Sequence, residues 1–183
     1  MPTQPIEFNS QQVKSTNDLL KGIKNGAPTA IRRSVNKTAS KAKTEASQEI
    51  RKVVTLKAAT VNAAIRLTKA SFKSLSAKMT ISGKPIPLIA FGARQTKKGV
   101  SVRVRKANPI EKHKTSFIAT MKSGHRGVYK RKGKARLPIT EKIGPSIPAV
   151  FQFNKESLVS FHAANNLQTI LDSEIKFLLS KQK

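Results

Sequence analysis

The sequence predicts an α+β protein with N-terminal helices, an antiparallel sheet of about five strands and a C-terminal amphipathic helix. Three observations point there. Between Thr29 and Leu56, and again over residues 155–180, apolar residues recur every third or fourth position, the period of a helix buried along one face. Between Phe72 and Lys132 the period drops to two, in short runs separated by Gly, Pro and Asn-Pro signals. The helical and strand patterns are grouped rather than alternating, which argues against a doubly wound parallel sheet.

In chain order, residues 1–27 are polar and interrupted by Pro2, Pro5, Gly22 and Gly26, so they read as an N-terminal arm. It holds one short amphipathic stretch, Val13 to Ile23, with Ser15 to Asp18 placed to cap a turn or two. Residues 28–183 then form one domain. Pro28 suits a first helical turn, and the long helix after it carries Ile31, Val35, Ala39, Ala42, Ala46, Ile50, Val53 and Val54 on one narrow stripe. A second helical pattern, Ala58 to Ala70, follows a short turn at Thr55 to Lys57, so helices fill residues 29–70. The sheet is expected over residues 72–132. Its first strand is Phe72 to Ile81 with Leu75, Ala77, Met79 and Ile81 on one face, its second is the apolar run Ile86 to Phe91, and its third is Val100 to Arg105. The basic segment between Gly92 and Gly99 reads as a loop. Thr115 to Met121 and Arg126 to Lys132 form a hairpin across Lys122 to His125, and the short connections make neighbouring strands antiparallel. The last helix, 155–180, places Leu158, Phe161, Ala164, Leu167, Leu171, Ile175 and Leu178 at helical spacing, with Asn154 as its cap and Lys176 and Lys181 near its negative end.

Between hairpin and helix lies an extended arm, residues 133–150. Pro138, Pro145 and Pro148 each remove a backbone donor and fix φ, so residues 137–147 are expected to run irregular. Leu137, Pro138, Ile139, Ile143, Pro145 and Ile147 sit there, with seven Lys/Arg between Arg126 and Lys142, and apolar groups in an irregular segment need a surface to lie on. They are the candidate subunit and partner contacts. An ordinary basic surface loop is the plainer reading of the same composition.

Composition narrows the function classes. Hydrophobic residues make up 38%, below the usual ~45–50%, and the aromatics are eight Phe and one Tyr with no Trp. Lys and Arg number 36 against nine Asp and Glu, a net charge of +27 that favours polyanions or acidic protein surfaces. With no cysteine there are no disulfides and no thiolate chemistry, and His113, His125 and His162 are too scattered for a structural zinc; no cofactor is expected. No run approaches ~18 apolar residues and the first residues lack a signal-peptide pattern, so the expectation is a soluble protein made in a cytoplasm, with no membrane partner.

The charge is unevenly placed. Between Glu49 and Glu111 there are 14 Lys/Arg and no acid, whereas residues 151–183 carry only four Lys/Arg, so the basic face belongs to the sheet and its loops. Candidate DNA-facing residues are Arg94, Lys97, Lys98, Arg103 and Arg105 around one hairpin, and Lys130, Arg131, Lys132 and Lys134 near another. A nucleic-acid-binding protein of ribosomal or chromatin type would look much like this, and a surface for acidic protein neighbours fits the same charges. Few amphipathic aromatics are present to stack single-stranded bases. For catalysis, His113 near Glu111 and His162 near Ser160 and Glu156 can be drawn as acid–base pairs, but no nucleophile motif, paired carboxylates or phosphate loop accompanies them. The expectation is a protein that is not an enzyme.

Three strings, GARQTKKGVSV (Gly92 to Val102), SFIATMKSGHRGVYKRKGKARLPI (Ser116 to Ile139) and GPSIP (Gly144 to Pro148), resemble in order and spacing the minor tail protein Z family of long-tailed bacteriophages, also called tail completion proteins. The resemblance covers roughly residues 50–183 and leaves residues 1–49 without support. It implies a structural virion component at the head-proximal end of the tail, where it acts with the tail terminator and the head–tail connector so that a finished tail joins a filled head. It also implies self-association into rings, as a rule six-fold, with genomic DNA in the lumen a further candidate partner. An apolar, proline-stiffened arm and a narrowly striped long helix are parts that a ring subunit would use on its neighbours.

Overall fold

The structure, a computed structural model, describes residues 3–154 and 156–181, with the side chains of residues 6–152 and 166–181. Its elements in chain order are β1 (Thr3–Ile6), α1 (Ser10–Leu19), α2 (Gly26–Val53), α3 (Ala58–Ala64), β2 (Ile65–Thr68), β3 (Ala77–Ile81), a 3-10 turn (Leu88–Phe91), β4 (Arg94–Thr96), β5 (Gly99–Val102), β6 (Glu111–His113), β7 (Ser116–Thr120), β8 (Arg126–Arg131), β9 (Ile139–Glu141), α4 (Ile147–Asn154) and α5 (Glu156–Ser180). This is the expected α+β class with antiparallel pairing throughout. The strands form three three-stranded sheets rather than one of five. Two units divide the chain, the first from residues 1–46, 65–81 and 155–183, the second from 47–64 and 82–154.

In the first unit the stripe of α2 is buried as its spacing requires, with Ile31, Val35, Ala39, Ala42 and Ala46 all 2% exposed or less. α1 opens on a capping box in which Asn9 accepts from the Gln12 backbone N–H at 2.8 Å and the Gln12 side chain accepts from the Asn9 N–H at 3.2 Å. The sheet order is β1-β3-β2, with Ala77, Met79 and Ile81 of β3 turned inward. Pro5 lies on the edge strand β1, where a missing N–H is tolerated. The Asn36 carboxamide of α2 donates to the Ala70 carbonyl and accepts from its N–H, standing in for a strand partner. On α5, Leu167, Leu171 and Ile175 are buried, and Glu174 is buried beside them, ion-paired to Lys37 and at 3.7 Å to Arg33 of α2.

The second unit takes the end of α2, with Ile50 and Val54 buried, and carries two sheets, β4-β5-β6 and β7-β8-β9. Strand β7 lies against β4 and β5. Phe91, Val100, Val102, Val128, Val150 and Phe151 make the core. Past the end of α2, the chain pairs with the segment after β5, the Thr55 N–H donating to the Val104 carbonyl at 3.0 Å and the Lys106 N–H to Val53 at 2.9 Å. No described helix is long and apolar enough to cross a membrane.

Several expectations are corrected by packing. The helical run Ala58 to Ala70 stops at Ala64, because Ile65 and Leu67 pair across to Ile81 and Met79 and so complete the first sheet. Phe72 to Ile81 is a strand only from Ala77. Ile86 to Phe91 is not a strand, since Pro85 and Pro87 cannot donate to a ladder; the chain turns as a 3-10 helix and leaves it at Gly92, φ 77°. The loop before Gly99 is shorter than expected, since Arg94–Thr96 is β4 and only Lys97-Lys98 remain a turn before Gly99, and the N-terminal arm contains β1 and α1, capped by Asn9 rather than within Ser15 to Asp18. The arm 133–150 is not irregular throughout, because β9 pairs with β8 and α4 begins at Ile147. Pro148 sits in the first turn of α4, where its missing N–H costs nothing. Asn154 therefore closes α4. Lys155 and the side chains of Leu158, Phe161 and Ala164 lie outside the described residues.

The Glu174 cluster yields an asymmetric prediction. Its carboxylate side chain is 6% exposed while its partners Arg33 and Lys37 are 42% and 63% exposed, so water can replace the lost partner of a cation but not that of the acid. Arg33→Met with Lys37→Met should lower stability by about 3 kcal/mol or more, and Glu174→Gln by only about 1 kcal/mol, because the freed cations rehydrate. Urea unfolding at pH 7 measures both; equal losses would remove the carboxylate from its role as the buried pin.

Candidate interface surfaces

The basic candidates divide by register. β4 and β5 are joined by Lys97-Lys98 alone, since Thr96 faces Gly99. β6 ends at His113 and β7 begins at Ser116, so Lys114-Thr115 alone joins them. The first of these turns lies against the second, because the space a side chain at Gly99 would need is taken by the His113 carbonyl and by Lys114. Ser116 in turn faces Lys130, and β8 leaves its sheet at Arg131 to return at Ile139, with the Lys132 N–H donating to the Pro138 carbonyl at 3.1 Å. Three cationic turns thus stand side by side at one end of the two sheets. Arg94 of β4, opposite Ser101 of β5, is separated from the first turn by Gln95 and Thr96. Arg103 and Arg105 are not part of this group, for they follow the far end of β5, where Arg105 bridges to Val54. All nine sequence-predicted cations are exposed. Lys114 and Arg136 belong with the group and were not among the candidates; the two-residue link between strands that places Lys114 becomes visible only once β6 is recognised.

The acids are elsewhere. The second unit holds 20 Lys/Arg and only Glu49, Glu111 and Glu141. Glu49 contacts Lys52 at 2.6 Å, Glu111 sits opposite Val102 and reaches His113 at 3.6 Å, and Glu141 sits opposite Tyr129 and bonds His125 at 2.8 Å. None stands in the three turns. Among the described residues no turn cation is in an ion pair, and Arg131 lies over the Phe117 ring at 5.6 Å. Tyr129 is 5% exposed, and burial first, then the Glu141 charge, holds its phenol above the ordinary pKa of 10.0.

The turn geometry is held by Gln95. Its side-chain NH2 donates to the Gly99 carbonyl at 3.0 Å, and its carbonyl accepts from the Ile118 N–H of the outer strand β7 at 2.8 Å. Thr96 adds a hydroxyl bond to the same Gly99 carbonyl at 2.9 Å. Gly99 has φ 129°, a region that other residues avoid.

The apolar candidates also divide. Leu137 is 66% exposed and Ile143 57% exposed, and Pro138, joined to Leu137 by a cis peptide, is exposed as well. Ile139 is half-buried opposite Arg131 and Pro145 is half-buried. Ile147 is 2% exposed, so it is a core residue of its own unit and not a partner contact, drawn in with Val150 and Phe151 as α4 forms. The segment is fixed to the 3-10 turn by the Gly144 N–H, which donates to Ile86 at 2.7 Å, and a Cβ at Gly144 would sit 2.8 Å from the Phe91 ring.

Of the histidines, His113 and His125 each face one carboxylate, while the side chain of His162 lies outside the described residues. Among the described residues no three His, Cys, Asp or Glu side chains gather as a metal site would require.

A family model for prophage minor tail protein Z matches residues 13–181. The chain belongs to this family. As a minor tail protein Z member it is a structural protein of a phage tail. The match runs from α1 to the end of α5 and so includes residues 13–49, where the three sequence strings are silent. No curated protein and no solved structure matches the chain.

Two substitutions probe the first turn. Gly99→Ala should destabilise the protein by about 2 kcal/mol or more, from positive φ and from collision with the His113 carbonyl. Gln95→Ala should cost about 1 kcal/mol and speed amide exchange at Ile118. Denaturant melts and hydrogen exchange read both, and an unchanged Ile118 rate would detach Gln95 from the edge of β7.

Proposed function

We propose that this minor tail protein Z member completes the head-proximal end of the tail and makes it competent to join a filled head, as one subunit of a six-fold ring. Its partners in this reading are like subunits, the tail terminator and the head–tail connector, and it works by binding rather than by catalysis. The observation that carries the reading is the family match over residues 13–181. The exposed apolar residues of the segment after β8 support it, since Leu137 stands beside the bond from the Lys132 N–H to Pro138 and Ile143 beside the bond from the Gly144 N–H to Ile86, and buried apolar anchors carry most of the energy of a protein interface.

Leu137→Asp with Ile143→Asp tests it. Both side chains are more than half exposed, so the variant should melt within about 0.5 kcal/mol of the parent. It should fail to enter tails, and tails assembled with it should not join heads, scored by electron microscopy and by infectivity in an in vitro joining assay. Normal joining with the variant present in tails would exclude these residues as the contact.

A further inference from the structure

We propose that the three cationic turns at one end of the second unit, Lys97-Lys98, Lys114-Thr115 and residues 130–136, together seat the phosphate backbone of duplex DNA without regard to its sequence. The inference does not depend on where in the tail the protein stands. It starts from charge segregation, for the turns hold eight Lys/Arg and no carboxylate, and the nearest acids in register, Glu111 and Glu141, pair with histidines instead. A cation with no internal partner is free to replace a phosphate counterion, and the release of those counterions drives binding.

The residue types choose among polyanions. Lysine is depleted from the cores of protein interfaces, where aromatic and apolar anchors dominate, and six of these eight cations are lysines. Single-stranded nucleic acid is held mainly by bases stacked on exposed rings, yet here Tyr129 is buried and Phe117 is half-buried with Arg131 over its ring. Duplex backbone needs no rings. Most of these cations are lysines, compact point charges suited to phosphate oxygens, and contacts to phosphate fix position and not sequence. Gln95 and the backbone pairing keep the turns side by side before DNA arrives, which limits the ordering cost of binding.

The test uses the purified full chain and anisotropy of a labelled random-sequence 20-base-pair duplex between about 50 and 200 mM salt, where several phosphate contacts produce a steep loss of affinity. Lys97→Gln, Lys98→Gln and Lys114→Gln combined should flatten the slope of log affinity against log salt by about 2.7, at ~0.9 per phosphate contact. Arg103→Gln, Arg105→Gln and Lys106→Gln remove the same charge at the far end of β5 and should change it by less than about one. Should the first triple fail to fold by circular dichroism, Lys132→Gln, Lys134→Gln and Arg136→Gln carry the same expectation. Equal slopes for near and far triples would overturn the proposal, as would no duplex binding at 50 mM salt or tighter binding to a single strand of the same length. So would competition by poly-glutamate that matches unlabelled duplex charge for charge, which would assign the turns to an acidic protein.

Discussion

Nine carboxylates serve 36 cations in this chain, and where they are spent decides what the remaining charge can do. Glu174 goes into the first unit, buried, with Lys37 and Arg33 closing over it from α2. The pairing gains from low dielectric but only after desolvation, so it orients α5 against α2 more than it adds stability. Glu141 and Glu111 go to histidines on the second unit's sheets. With these acids placed outside the three turns, the turns are left with uncompensated charge. Mutual repulsion of that charge is a standing cost of folding, tolerable because the turns are exposed and screened over roughly 8–10 Å at ordinary salt.

Sheet edges are the second constraint. Three small sheets have more exposed edges than one of five strands, and an open edge invites pairing with another chain. The chain limits this locally. β1 is four residues long and carries Pro5, β7 gives its Ile118 N–H to a side chain, and β9 is three residues between Pro138 and Pro145. These same prolines are the reason the strands are short.

The fold was legible where one periodicity ruled. The stripe of α2 reads directly, because Ile31, Val35, Ala39, Ala42, Ala46 and Ile50 follow helical spacing for about five turns and every one is buried. The Thr115–Lys132 hairpin reads as well, its alternation and its four-residue connection agreeing. Illegible were elements whose type is set by a distant partner. Ile65 to Thr68 continue a helical pattern and are strand only because Met79 and Ile81 need a neighbour, and β9 exists because β8 offers it an edge. Proline misled in both directions, as a supposed breaker at Pro148 and as a tolerated strand residue at Pro87. For the surfaces, charge type and amount were plain in the composition. The grouping of Lys114 with Lys97 and Lys98, and the separation of Arg103 and Arg105 from them, needed the register.

One buried ring has a practical use. The chain has a single Tyr and no Trp, and that Tyr is enclosed in the second unit between Gly127 and Glu141, where a Cβ on Gly127 would come within 3.0 Å of the ring. Tyrosine absorbance and tyrosine fluorescence of the native protein therefore report on the second unit alone, while far-ultraviolet helicity is dominated by α2 and α5. A difference between the two optical transitions separates the unfolding of the units without any label. The raised phenol pKa gives the alkaline limit a sign, since the folded state holds that proton more tightly than the unfolded chain does. Stability from this group is complete below pH 10.0 and declines as pH rises beyond it, with the phenolate band appearing as the ring is released.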